Sequence, residues 1–357
     1  MPYPDLTIST PPSSKQSTVT TADSSFDQTR PAQHLKLPSR KLLSRRFHVI
    51  LGKGGVGKST VAMTLGLAFA QQGLRTLICE VDDREMMSHA FNVAPSHAEI
   101  RQLRSNLFAV CIDTQSALSE YGALKLKVKA LSKLLTENPL TRALVSIVPG
   151  VADLIALGKA FNHERERQPQ APNKYQWDRI IVDAPSTGHG LTFLKLPLVI
   201  KDVVPSGNMR KEADDMWTLL SNPQRCCLHL VSTAEEMPIQ ESRELWTSLQ
   251  NEMGLSAQSL WINKLSNALV SESSWGQILE YYQQQAQDHQ IPSWLYKLFE
   301  QKQSLYDQQI RQINRLNGIK SERSFLPYFP TQSPNELRES IAYALEALNN
   351  QDRESHV

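Results

Sequence analysis

The string Gly52-Lys53-Gly54-Gly55-Val56-Gly57-Lys58-Ser59-Thr60 satisfies the phosphate-loop pattern G-x-x-x-x-G-K-[ST]. Such a loop works only where a strand hands over to a helix, so it dictates an α/β arrangement. The flanks agree. Phe47-His48-Val49-Ile50-Leu51 is an apolar run of strand length. Val61 to Ala70 is an apolar, helix-forming stretch that Gly73 stops. Glycines let backbone N–H groups close around phosphates, and the helix N-terminus adds partial positive charge. In this pattern Lys58 reaches the outer phosphates of a nucleotide, and the Ser59 hydroxyl and Thr60 open the helix, with Ser59 a ligand for Mg²⁺.

From Phe47 onward, strand-like and helical patterns alternate. The strand candidates are Phe47–Leu51, Thr76–Val81, Leu107–Cys111, Arg179–Val182, Cys226–Val231 and Leu260–Asn263. Alternation of this kind predicts an α/β fold of the P-loop NTPase type, with a mostly parallel, doubly wound sheet. Two stretches break the rhythm and predict an inserted helical subdomain. One covers about 116–161, with a break at Pro149-Gly150. The other covers about 275–316 and carries the apolar knot from Ile291 to Phe299. Only one phosphate loop is present, so a two-site machine needs a homodimer or a related partner.

Twelve of the first thirty residues are Ser or Thr, with several prolines, a composition that cannot bury enough apolar surface to order itself. Residues 1–40 are therefore expected to be a disordered tail, or an organellar transit segment, ahead of a domain spanning 41–350. The net charge of +2 leaves no footprint for nucleic acid. No run is long enough to span a membrane and no secretory leader opens the chain, so a soluble, cytoplasmic protein is expected. Cys79, Cys111 and the pair Cys226-Cys227 lie in strand-like apolar runs and are expected to be buried thiols.

Three further strand ends carry polar residues. Ile180-Ile181-Val182-Asp183 is an apolar run closed by a carboxylate that suits a Mg²⁺-holding Asp. The small residues from Ala184 to Leu191 behind it suit a switch loop, with His189 a hydrogen-bonding element. Asp82, with Asp83 as its rival, stands where a carboxylate would orient the attacking water. Asn263 could pair with an adenine edge, and Pro327, within Leu326-Pro327-Tyr328-Phe329-Pro330, could wall the base.

Lys53 directly follows the first glycine. The loop thereby resembles that of signature-lysine ATPases, in which this lysine reaches across a dimer to the partner's nucleotide. The whole stretch from about Phe47 to Leu348 resembles the ArsA-type anion-transporting ATPases, the group of the arsenite-pump ATPase and the ATPase that targets tail-anchored membrane proteins. The motifs that carry the resemblance are Gly52–Thr60, Asp82–Phe91, Pro149 to Lys159, Asp183–Leu191, Ala234 to Pro238, and Asn263-Lys264. It implies Lys53 acting in trans, Lys58 and Asp82 as catalytic groups, Ser59 and Asp183 on Mg²⁺, and Asn263 on adenine. The chain departs from the family's first switch, which often reads Asp-Pro-Ala-His, and lacks the zinc-binding cysteine pair of many targeting members. The expected function is that of a Mg²⁺-dependent, dimeric ATPase switch coupled to a hydrophobic or membrane-protein client. The alternatives are an oxyanion-pump ATPase and a partitioning switch.

Overall fold

The computed structural model describes residues 35–81, 85–96, 99–112, 151–185, 190–203, 205–266, 293–331 and 333–354. After a short turn of helix, α1 (Arg40–Leu43), the chain forms β1 (Phe47–Leu51), α2 (Lys58–Gln71), β2 (Thr76–Glu80) and α3 (Met86–Ala90). A hairpin of β3 (Arg101–Arg104) and β4 (Leu107–Cys111) follows. Then come α4 (Val151–Arg165), the small hairpin β5 (Arg167–Gln168) and β6 (Ala171–Tyr175), β7 (Arg179–Asp183), α5 (Gly190–Val203) and α6 (Asn208–Ser221). The last third is β8 (Cys226–Thr233), α7 (Glu236–Met253), β9 (Ser259–Leu265), α8 (Ser293–Asn314), β10 (Glu322–Pro327) and α9 (Pro334–Glu354).

Eight strands form one sheet in the order β10-β9-β8-β1-β7-β2-β4-β3. All neighbours are parallel except β3 and β4. The chain winds from β1 outward through β2 to the β3 edge, returns to β7, and then crosses β1 to β8. The strand direction of travel therefore reverses at β1, where open parallel sheets bind their ligands.

Both faces are covered, which is why the strands read as continuous apolar runs. In β1, Phe47, Val49 and Leu51 join the core beneath α4 to α8, while Ile50 joins the core beneath α2, α3 and α9. Helix α2 is buried on nearly every side from Val61 to Phe69 and ends as expected at Gly73, where Leu74 N–H donates to Phe69 O. Of the helices expected at 116–161 and 275–316, residues 116–150 and 275–292 lie outside the described residues. Their described ends, α4 and α8, both lie against the first of these cores through Leu157, Phe161 and Ile313.

The expected strands are all present: β2 ends a residue earlier than expected, and β7, β8 and β9 are longer by one to three residues. Of the unforeseen strands, β3, β5 and β6 are polar elements, whereas β10 buries Phe325 and Leu326. β3 points only Leu103 inward, and β6 is Ala-Pro-Asn-Lys-Tyr, so neither carries apolar alternation. β10 is a true edge strand ending in Pro327, a residue that edges tolerate. Residues 35–39, at the end of the stretch read as tail, run beside it, with Lys36 and Phe325 exchanging backbone hydrogen bonds of 2.9 and 3.0 Å.

Two buried polar groupings tie the sheet together. Glu164, at the end of α4, accepts from Arg46 Nη1 at 3.0 Å and Arg225 Nη2 at 2.8 Å, just ahead of β1 and β8. The second grouping is neutral. Trp261 Nε1 donates to His229 Nδ1 at 3.1 Å, the two histidines face each other at 3.0 Å, and His48 Nε2 lies 2.8 Å from Arg45 O. An indole is only a donor and a carbonyl only an acceptor. His229 must therefore carry its proton on Nε2 and give it to His48 Nδ1, while His48 Nε2–H donates to Arg45 O. With Cys227 the pair brings three ligand atoms within 4.8 Å of one another. Both facing nitrogens are committed to this chain, which leaves neither histidine a lone pair for a metal.

Burial pushes His48 down to about 3 and His229 well below its ordinary value. Glu80, buried at the end of β2, is pushed the other way, up to about 8, by burial first and then by the charges of Asp183 and Glu85. Below the ordinary histidine value of 6.5, the unfolded chain binds two protons that the folded chain refuses. The folded chain holds one proton, on Glu80, that the unfolded chain has lost above 4.5. The net is one proton favouring unfolding, so stability falls by up to about 1.4 kcal/mol per pH unit on acidifying from about 6.5 to 5. Above about 6.5 only Glu80 counts, and stability falls again as pH rises toward 8. Urea unfolding at three pH values should show this maximum; a profile flat on the acid side would contradict the neutral histidine pair.

Candidate active site

The phosphate loop leaves β1 at Leu51 and crosses the carboxyl end of β8. Gly52 has φ +154, and a β-carbon there would lie 2.6 Å from Val231 O. Gly57 has φ +93 and caps α2, and a β-carbon there would lie 2.0 Å from Asn263 Nδ2. Neither position admits another residue, for reasons of both conformation and space. At the start of α2, no side chain caps the helix and its first turn carries no acidic residue. The first-turn N–H groups, which an α-helix leaves without intrahelical partners, and the positive end of its dipole face the loop, a cradle that fits a phosphate.

The sequence candidates converge here to different degrees. Gly52 to Thr60 form the loop and the first turn of α2. Lys58 is buried, with Nζ 3.1 Å from Lys53 O inside the loop. Lys53 is turned outward, 48% exposed, with Nζ 3.1 Å from Glu241 Oε1 on α7. Ser59 and Thr60 are half-buried. Asp183 ends β7 beside β1, in register with Ile50 and with Glu80 of β2. The Ser59 hydroxyl and the Asp183 carboxylate are hard oxygen donors on adjacent elements, the donor type that Mg²⁺ requires. Burial, with the charge of Asp183 itself, pushes Glu80 up to about 8, which favours its uncharged form beside Asp183.

Asn263 comes from β9, two strands away, and its Nδ2 donates to Val56 O at 2.9 Å. Pro327 lies farther along the same edge, paired with Leu265. Asp82 and Asp83 fall outside the described residues, as do Ser186 to His189 of the expected switch loop.

Four residues absent from the sequence candidates matter to this geometry. Glu80 accepts the Met87 N–H at 3.0 Å and so fixes the start of α3. Its signal was present: an acidic residue closing an apolar strand. Lys264, beside Asn263, reaches Gly55 O at 3.2 Å. Glu241 and the buried Gln309 lie inside helices, where nothing in the sequence marks them.

A glycine loop between a parallel strand and a helix, at the point where the strand order reverses, defines a P-loop nucleoside triphosphatase. A family model described as anion-transporting ATPase matches residues 45–216 and 205–322, and the chain belongs to that family. It is an ATPase, with a fold of the P-loop type. Among its relatives is ATPase BagA of Mycobacterium tuberculosis, 29% identical over 236 residues that cover 64% of this chain and 67% of that protein. A Halobacterium salinarum protein with "arsenical pump-driving ATPase" in its name is 26% identical over 272 residues, covering 70% of this chain and 41% of its own. ATPase ASNA1 homolog 1 of Paramecium tetraurelia is 29% identical over 155 residues, covering 42% and 43%.

The fit around Gly57 gives a direct test. Gly57→Ala adds left-handed strain and a collision with the buried Asn263 amide, and should lower ATP turnover by more than about tenfold. Asn263→Ala removes the collision, so Gly57→Ala should cost less in that background. Turnover and melting temperature of the four proteins check it, and equal losses in both backgrounds would contradict the close contact.

Proposed function

We propose that the chain hydrolyses ATP as a Mg²⁺-dependent dimer, with Lys53 of each protomer serving the nucleotide of the other, and that this cycle drives a client with an apolar segment. The observation that carries the reading is the opposite setting of two lysines in one loop. Lys58 is buried against the loop interior, whereas Lys53 points out of its own loop toward α7. A cation at the rim is available to a neighbouring molecule, and a cation delivered to the developing charge of phosphoryl transfer is worth about 10³–10⁵ in rate when an arginine does it.

In this reading the loop amides and Lys58 bind the phosphates, and Asn263 and Pro327 flank the base. Asp82 orients the water. Ser59 and Asp183 would hold Mg²⁺, which when bound neutralises phosphate charge. The exposed Lys53–Glu241 pair is worth less than about 1 kcal/mol, so exchanging it for a phosphate is inexpensive.

Two observations favour an apolar client over an oxyanion pump. Trp294, Leu298 and Leu305 are exposed at 65%, 45% and 47%, and their spacing sets them on one face of α8. All four cysteines are buried, and burial raises the thiols of Cys79, Cys226 and Cys227, which disfavours the accessible thiolates a soft metalloid needs. Among the described residues no helix is long and apolar enough to cross a membrane.

Specific ATPase activity should climb with protein concentration, and mass measurement should find a dimer favoured by ATP·Mg²⁺. Lys53→Ala should retain nucleotide binding within about threefold yet lose at least about a hundredfold in kcat. Lys58→Ala should lose both. A Lys53→Ala enzyme turning over at the normal rate would end the trans mechanism. ATPase rates unmoved by antimonite are expected, and stimulation would favour the pump.

A further inference from the structure

We propose that Gln309, on α8 and outside every nucleotide motif, is a positioning residue for the phosphate loop, acting through the left-handed turn at Lys264. The inference rests on the reading that this loop binds ATP, and it adds what holds the loop in shape.

β9 ends in two side chains that grip consecutive carbonyls of the loop. Asn263 Nδ2 donates to Val56 O at 2.9 Å, and Lys264 Nζ donates to Gly55 O at 3.2 Å. The chain has no cis peptide among its described residues, and a trans peptide sets its N–H opposite its C=O. Drawing the Gly55 and Val56 carbonyls toward β9 therefore turns the N–H groups of Val56 and Gly57 away from it. The orientation of the cradle amides depends on where Asn263 and Lys264 stand.

Lys264 stands there in a conformation that lysine disfavours, φ +57. A single amide holds the turn on both sides. Gln309 Oε1 accepts the Ser266 N–H at 2.9 Å, and Gln309 Nε2 lies 3.3 Å from Lys264 O. Gln309 is only 8% exposed. Tyr328 N–H adds a bond of 2.7 Å to Leu265 O, so the turn is pinned from β10 as well. Between α8 and the phosphate loop runs one continuous set of contacts: Gln309, the Lys264 turn, and the Gly55 and Val56 carbonyls. The face of α8 that carries Trp294, Leu298 and Leu305 is exposed on the same helix. Whatever seats α8 sets the loop, and by reciprocity nucleotide in the loop firms α8.

The test is a titration with a fluorescent ATP analogue of wild type, Gln309→Leu, Lys264→Met and the double variant, each checked by thermal melting. Each single substitution should weaken binding about three- to tenfold, and the double should be no weaker than the worse single, because both cut one linkage. Gln309→Glu keeps the acceptor for Ser266 and should fall between wild type and Gln309→Leu. Gln309→Leu binding at the wild-type affinity, or additive losses in the double, would overturn the assignment. Should Gln309→Leu fail to fold, hydrogen exchange on wild type decides. The ATP analogue must slow exchange at Ser266 and across α8, and unchanged exchange overturns the proposal. A wild type that binds no nucleotide removes this inference together with the ATP-site reading, whereas normal wild-type binding with an indifferent Gln309 removes this inference alone.

Discussion

Gly52 comes within reach of Val231 O, and Gly57 within reach of the Asn263 amide, at distances where no β-carbon fits. This double close approach draws β1, β8 and β9 into one assembly at their carboxyl ends, and the rest of the architecture serves to hold it. The floor beneath it is stiff because the strands are covered on both faces and close-packed. The crossing of the chain from β7 over β1 to β8 supplies the partners on the two sides of the loop: Asp183 on one, Val231 and Asn263 on the other.

Polar groups buried in the sheet are handled differently at its two ends. At the amino ends of β1 and β8, Glu164 is surrounded by two guanidinium groups, which settles its charge by pairing. Deeper in the sheet, His48, His229 and Trp261 avoid charge altogether, with each N–H aimed at the next acceptor. At the carboxyl ends the logic is functional. Glu80 is driven toward its neutral form, and the buried Lys58 and Asp183 stand around the loop.

Three lysines around one loop show how context divides labour among identical side chains. Lys58 is drawn inward, its Nζ against Lys53 O inside the loop. Lys53 is turned outward, where it pairs with Glu241 of α7. Lys264 is held over the loop by a left-handed turn that a glutamine from another helix stabilises. Only the first two belong to the loop's own spacing, whereas Lys264 stands in a motif whose contact with the loop the sequence does not reveal.

The apolar strand runs, the glycine loop, the helix behind it and the Asp closing β7 were all legible, since each is a local pattern whose chemistry and period lie in consecutive residues. The polar edge strands were not, because β3 and β6 are strands through hydrogen bonding to a neighbour and not through apolar alternation. Asn263 was legible as a strand-end residue on the binding edge, but its contact with Val56 O was not. That contact exists only because the loop leans over β8 toward β9. The sequence by itself determined that a phosphate loop with two lysines joins a buried strand to a helix, since those demands are met within nine residues. Only the tertiary structure decided which lysine faces inward, which distant carbonyl each side chain grips, and which glutamine braces the turn. Those outcomes depend on the meeting of segments dozens to hundreds of residues apart, whose alignment is set by the packing of the whole sheet.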